Sequence, residues 1–197
     1  MTISPEFRFR RRLVVMVKQP RAGRVKTRLG RDIGMTQAAW WFRHQVSRLL
    51  REVQDPRWDL ILSVAPDTAL QSPVWPAHLP RLPQGQGDLG QRMGRVFHDL
   101  PPGPVCLIGG DIPGVRTHHI AEAFQQLGNH DAVFGPATDG GYWLVGMKRV
   151  APPPASLFQN VRWSSEHALA DSIASMPGLR IARAATLRDV DTAADLR

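Results

Sequence analysis

Short unbroken apolar runs recur along the chain, separated by stretches whose apolar residues return every three or four positions. Residues 13–17, 58–65, 104–108, 132–134, 142–147 and 179–182 form such runs, most of them bounded by Gly, Pro or Asp, and each predicts a buried strand. Between them, residues 36–53 bring Ala39, Phe42, Val46, Leu49, Leu50 and Val53 to one helical face. Residues 88–100 do the same with Leu89, Met93, Val96, Phe97 and Leu100. Two further helices are expected over 117–127, with Thr117 as N-cap, and over 164–175, with a serine cap. Residues 66–87 are rich in Pro, Gly and Gln and predict a loop with room for one short strand. After the last strand, Asp189-Val190-Asp191 leads into a short helix capped by Thr192.

Strands alternating with helices imply an α/β fold, a Rossmann-like three-layer α/β/α arrangement around a mostly parallel, mixed sheet. One domain is expected over 13–197, after a basic extension over 1–12. In such sheets ligands bind beyond the carboxyl ends of the strands, near a topological switch point. The unusual loops fall there: 18–29 after the first strand, 109–114 after the fourth and 189–192 after the last.

Composition narrows the picture. At 197 residues, 43% hydrophobic and 21% charged, the chain has the composition expected of a soluble globular protein. No run reaches the 18 or so apolar residues of a membrane span, and no secretory signal is visible, so cytoplasm is the expected compartment. The single cysteine, Cys106, excludes an intramolecular disulfide and a cysteine-built zinc site; within its apolar run it predicts a buried, inert thiol. Of the net charge of +8, Arg8, Arg10, Arg11 and Arg12 supply four positive charges against Glu6. That arm has the charge to touch nucleic acid, but no helix-turn-helix, zinc finger or aromatic RNA-binding motif accompanies it, and no nucleic-acid partner is expected.

Candidate chemistry lies in five segments. The first, Lys18 to Leu29, holds two of the three lysines in a chain that otherwise uses arginine. A lysine is a compact point charge suited to touching a phosphate, so Lys18, Gly23, Lys26, Thr27 and Arg28 read as a polyanion cradle; a solvated basic loop is the competing reading. The second is Gly109-Gly110-Asp111-Ile112-Pro113. Its glycines admit close backbone approach, and Asp111 suits a hard cation such as Mg²⁺, which commonly takes one or two carboxylates and completes its shell with phosphate and water; an ordinary turn has the same composition. In the third, Asp189 and Asp191 sit two apart on one side of an extended segment and repel unless a cation or donors intervene; Asp191 equally suits a helix cap. The fourth, Asp139-Gly140-Gly141-Tyr142-Trp143, suggests a backbone platform beside an apolar wall for an acceptor, or a plain hairpin turn. In the fifth, a Gly-rich loop from Gln84 through Gly87 opens a helix at Asp88, with Arg92 one turn in, and could hold a nucleobase through glutamine side chains and backbone.

Together these motifs resemble a known family. Lys18-x-Pro-x-x-Gly-x-Val-Lys26-Thr27-Arg28-Leu29, Gly110-Asp111-x-Pro113, Asp139-Gly-Gly-Tyr142-Trp143, Trp163-Ser164-Ser165 and Arg188-Asp-Val-Asp191-Thr192-x-x-Asp195-Leu196 resemble the GT-A-type glycosyltransferase-like proteins called radical-SAM/selenodomain-associated transferases. A more distant likeness is to molybdenum cofactor and 2-phospho-lactate guanylyltransferases. The resemblance implies the nucleotide-diphospho-sugar transferase fold and a donor nucleotide bound with Mg²⁺ or Mn²⁺. It implies that Lys26 and Arg28 neutralise phosphate charge with Lys18 nearby, and that Asp111, Asp189 and Asp191 hold the metal. Gly110 stands where the family pattern has serine or threonine, and Ile112-Pro113-Gly114 replaces its Cys-Pro-Asp, changes that bear on the acceptor pocket. The activity implied is glycosyl transfer from a nucleotide sugar to a small acceptor. Nucleotidyl transfer from a nucleoside triphosphate to a phosphorylated acceptor is the alternative, favoured by the lone aspartate at the strand tip where glycosyltransferases of this fold often carry Asp-x-Asp. A non-catalytic nucleotide-binding domain is the third reading, and a homodimer is compatible with all three.

Overall fold

A computed structural model describes residues 9–187. Asp189, Asp191 and the expected C-terminal helix lie outside the described residues. Seven strands and five helices follow in the order β1 (Arg12–Lys18), α1 (Thr27–Ile33), α2 (Met35–Glu52), β2 (Asp59–Ala65), β3 (Arg81–Pro83), α3 (Leu89–Asp99), β4 (Val105–Gly109), α4 (Thr117–Gln126), β5 (Ala132–Pro136), β6 (Tyr142–Met147), α5 (Ala168–Ala174) and β7 (Ile181–Arg183). They build one sheet in the order β3-β2-β1-β4-β6-β5-β7. All neighbouring pairs are parallel except β4–β6 and β5–β6, so β6 alone runs against the rest. This is a mixed, mostly parallel α/β sheet, as the alternation of strands and helices predicts.

The apolar runs are unbroken because both sheet faces are covered. Along β1, Leu13, Val15 and Val17 join the core beneath α2 and α4, which contribute Phe42, Val46, Leu49, Ile120 and Phe124. Val14 joins the core on the other face with Met93, Val96 and Phe97 of α3, and Leu169 and Ile173 of α5 pack against it. Cys106 is fully buried, and burial pushes its thiol pKa up, as an inert core cysteine requires. No helix among the described residues is long and apolar enough to cross a membrane.

Three local expectations differ from the structure. Residues 27–29, read as the end of the 18–29 loop, already belong to α1, which runs to Ile33. Thr117 is the first residue of α4, not its cap; Arg116 holds the cap position, and the Thr117 hydroxyl donates to the Glu52 carbonyl oxygen. The helix expected over 164–175 shrinks to α5, because Ser164 adopts φ +59° and residues 164–167 stay outside it.

Candidate functional site

The order in which strands are added to the sheet switches sides between β1 and β4. From β1 the chain steps outward to β2 and β3, then returns to place β4 on the other flank of β1. The loops leaving β1 and β4 therefore part, and a cleft of about 830 Å³ opens over their carboxyl ends.

The lip after β1 is built by a chain that stays pinned until it turns. Gln19 N–H donates to the Ala65 carbonyl at 2.7 Å, carrying β1 past its end along β2, and Arg24 N–H closes a turn on the Arg21 carbonyl at 3.0 Å. Val25 anchors in the core. Lys26 then takes a left-handed conformation, φ 44° and ψ 49°, at the N-cap of α1. A non-glycine residue there costs of order 1–3 kcal/mol and persists only where its surroundings fix it. One fixing contact is visible: Lys26 Nζ lies 2.8 Å from Asp111 Oδ2, with the lysine side chain 7% exposed and the aspartate 31%. Asp111 stands just beyond β4, and the glycine before it packs close against β1. A Cβ on Gly110 would meet the Met16 carbonyl and Val17 Cγ1 at 3.1 Å. The segments leaving β1 and β4 thus each deliver one member of a half-buried ion pair to the cleft floor.

Gln84, just past β3, is the third fixed group. It is 6% exposed and lines the cleft. Its Nε2 donates to the Val17 carbonyl at 3.1 Å and the Ser63 carbonyl at 2.9 Å. Two carbonyl partners require the amide nitrogen on that side, which leaves Oε1 as the acceptor on the other. The loop behind it is held by α3: Arg95 donates to the Gln84 and Gln86 carbonyls, and Arg92 Nε donates to the Gly87 carbonyl at 2.9 Å. Asp88 and Gln91 form a reciprocal capping box at the start of α3.

The opposite wall comes from the β5–β6 hairpin and residues 163–168. Asp139 Oδ1 accepts from Gly141 N–H at 2.9 Å, shaping the hairpin turn. Gly140, at φ +85°, packs so tightly that a Cβ would come within 2.4 Å of the Glu166 carbonyl oxygen. The Tyr142 hydroxyl lies 3.1 Å from Ser172 Oγ; burial pushes its pKa up, the hydrogen bond only partly offsetting this, so the phenol stays protonated. Trp163 packs edge-on against Phe158, ring centroids 6.1 Å apart.

Of the residues predicted from sequence, Lys18, Lys26, Arg28, Asp111, Asp139, Gly141 and Tyr142 line this one cleft. Gly23, Thr27, Gly87, Asp88, Arg92 and Gly140 do not line it and serve the loops and turns around it. Arg24 and Trp163 line the cleft without having been singled out as site residues, and so does Gln84, which was read only as part of a loop able to hold a nucleobase. The sequence signal for Gln84 was its Gly-rich surroundings; nothing local marked Trp163 beyond its place in a motif.

A hard divalent cation suits the donors present. Asp111 offers a carboxylate to the cleft, and no thiolate lines it. Among the described residues no group of three His, Cys, Asp or Glu forms a closed metal cage. Any cation here would share Asp111 with phosphate oxygens and water, the mode in which Mg²⁺ is usually held.

Solved structures carry the same fold. The chain is 30% identical to a "putative nucleotide-diphospho-sugar transferase" from Desulfovibrio desulfuricans G20, with a TM-score of 0.79 over 94% of this chain and 84% of that one. It superposes on 4-diphosphocytidyl-2C-methyl-D-erythritol synthase from Anaerococcus prevotii DSM 20548 at 8% identity, TM-score 0.57, over 95% of both chains. It also superposes on Rv0371c from Mycobacterium tuberculosis H37Rv, solved in complex with manganese, at 17% identity, TM-score 0.54, over 96% of both. The last two likenesses speak for the fold alone. No curated protein matches the chain. A family model matches residues 49–165, from the end of α2 through Asp111 and the β5–β6 hairpin to Ser165. With more than half its length matched, this chain belongs to the bacterial family described as "Uncharacterized protein conserved in bacteria (DUF2064)".

Proposed function

We propose that this protein is a metal-dependent nucleotidyltransferase, moving a nucleoside monophosphate from a nucleoside triphosphate to a small phosphorylated acceptor. The observation that carries the reading is the Lys26–Asp111 pair, set on both lips of the switch-point cleft with a single carboxylate at the β4 tip. An acceptor phosphate oxygen attacks the α-phosphorus. The bond from that phosphorus to the oxygen bridging to the β-phosphorus breaks, and pyrophosphate leaves with the electron pair. Lys18, Arg24, Lys26 and Arg28 all line the cleft from the β1 side, where fixed positive charge stabilises the leaving pyrophosphate. Gln84 Oε1 offers a nucleobase a fixed acceptor next to the Val17 carbonyl. A Mg²⁺ or Mn²⁺ ion held by Asp111, with Asp189 and Asp191 as further expected ligands, would neutralise phosphate charge and orient the donor.

The name of the Anaerococcus synthase supports this reading, and the manganese complex of Rv0371c supports the cation. Glycosyl transfer from a nucleotide sugar is the second reading, favoured by the name of the Desulfovibrio relative. The resemblance to radical-SAM/selenodomain-associated transferases belongs with that second reading.

Thermal shifts test both. Nucleoside triphosphates and nucleotide sugars are titrated with and without Mg²⁺ or Mn²⁺ on wild type, Asp111→Ala and the isosteric Asp111→Asn. At a hundred times Kd, a ligand of the native state adds about 2.7 kcal/mol, or roughly 5–10 °C of Tm for a domain of this size. A metal-dependent shift by a triphosphate, lost in both variants, is expected. Absence of any metal-dependent shift sinks the reading, and a shift confined to nucleotide sugars transfers it to glycosyl transfer.

A further inference from the structure

Charge is segregated across the cleft. Its four cationic residues, Lys18, Arg24, Lys26 and Arg28, all come from the end of β1, the loop that follows and the first turn of α1. The facing wall presents Leu89, Met93, Tyr142 and Trp163, with two exposed carboxylates, Asp139 and Glu166, at its edge. No lysine or arginine among the described lining residues stands on that side. Arg162, next to Trp163, is clamped by the Asp171 carboxylate through two bonds of 2.8 and 2.9 Å.

The apolar wall is a built surface. Leu89, the first residue of α3, is 46% exposed there, an uncommon place for a large aliphatic side chain in a cleft that otherwise binds charge. Trp163 is wedged where a Cβ on Gly90 would come within 2.8 Å of its ring. The loop carrying it holds Phe158, Asn160 and Ser164 at positive φ. Such conformations persist only where the surroundings over-determine them, and they cluster at binding sites. The Tyr142 hydroxyl is engaged by Ser172, so the tyrosine offers this wall its ring.

We infer that the acceptor is a phosphate monoester whose body is uncharged and has an apolar face. Its phosphate points across the cleft floor toward the donor, and its body lies against Leu89, Met93, Tyr142 and Trp163. This rests on the nucleotidyl-transfer reading above. A second anionic group on the body would find no cation on this wall and would face Asp139 and Glu166, leaving a desolvated charge unpaired. An apolar face gains from burial against the indole and the leucine.

Isothermal calorimetry with phenyl phosphate, phosphoglycolate and inorganic phosphate tests the inference, on wild type, Trp163→Ala and Leu89→Ser. The second variant, at an exposed position, covers the case in which the first fails to fold. Phenyl phosphate should bind at least about tenfold more tightly than the other two, the gain expected from burying part of one ring face. Either variant should bring phenyl phosphate down toward inorganic phosphate and leave inorganic phosphate itself unchanged. Phosphoglycolate binding as tightly as phenyl phosphate overturns the inference, as does discrimination that survives both variants. So does a loss of nucleotide affinity in the variants as large as the loss for phenyl phosphate, which assigns the wall to the nucleotide. Each of these leaves nucleotidyl transfer standing; absence of a metal-dependent nucleotide shift removes that reading and this inference with it.

Discussion

Lys26 concentrates several costs in one residue. Its backbone is left-handed, its side chain is only 7% exposed, and the ion pair with Asp111 offsets part of the burial of its charge. Breaking a fully buried pair costs about 3–5 kcal/mol. Asp111 keeps 31% of its surface in solvent, so the carboxylate left behind is partly hydrated. Lys26→Ala should therefore destabilise by about 1–2 kcal/mol, read as a lowered urea midpoint with unchanged slope. An unchanged midpoint would mean that the pair contributes nothing to folding and serves ligand binding alone. The two members were visible in the sequence as charged residues in Gly- and Pro-punctuated strand ends. Their pairing was not, because it arises only when β4 docks beside β1. Gln84 was hidden for the same reason: its role is set by the carbonyls of Val17 and Ser63, on two other strands.

At the scale of elements, the segment between β6 and α5 is held by charge as much as by packing. Arg162 donates to both oxygens of Asp171, and its hydrogen bonds hold the Asp171 carboxyl well below the usual carboxylate range. A carboxyl depressed in the folded state contributes stability above its unfolded pKa of about 3.9, and that contribution drains away as pH falls below it. Asp171→Asn should lower Tm by roughly 1–3 °C at pH 7, in keeping with an exposed pair. The gap to wild type should close as pH drops below about 4, followed by calorimetry across pH 2.5–7. A gap that stays constant would rule out the clamp as its source. This clamp also explains why the helix expected at Ser164 starts later. The Ser165 hydroxyl donates to the Arg162 carbonyl at 2.6 Å, so a residue that reads as a helix cap is spent on the loop. The elements legible in sequence, such as α2 and α3, have a long apolar period, and α3 has its own cap in Asp88. α1 has seven residues, no side-chain cap and only Leu29 and Gly30 buried, so no periodic signal existed to find. β3 is three residues at a sheet edge, defined by its pairing with Leu62 to Val64 and by nothing in its own composition.

Across the whole molecule, topology decides where charge can act. The order β3-β2-β1-β4-β6-β5-β7 leaves one reversal beside β1, and the parted loops there collect Lys18, Arg24, Lys26 and Arg28 on one lip. These cations differ in how far water reaches them: Lys18 and Arg24 are exposed, whereas the Lys26 side chain is 7% exposed. Salt screens exposed charges over a Debye length of about 10 Å at 0.1 M and 3 Å at 1 M, and reaches buried ones far less. Lys18→Ala and Arg24→Ala should therefore weaken nucleotide affinity several-fold at low salt and hardly at all near 1 M, where wild type has itself lost that attraction. Lys26→Ala should cost more, and its deficit relative to wild type should persist at both salts. The measurement is nucleotide Kd by calorimetry at roughly 0.02 M and 1 M NaCl for the four proteins. Equal salt dependence in wild type and all three variants would remove the distinction between a steering rim and a contacting floor. A salt-sensitive deficit in Lys26→Ala alone would put the phosphates at the rim, away from Asp111.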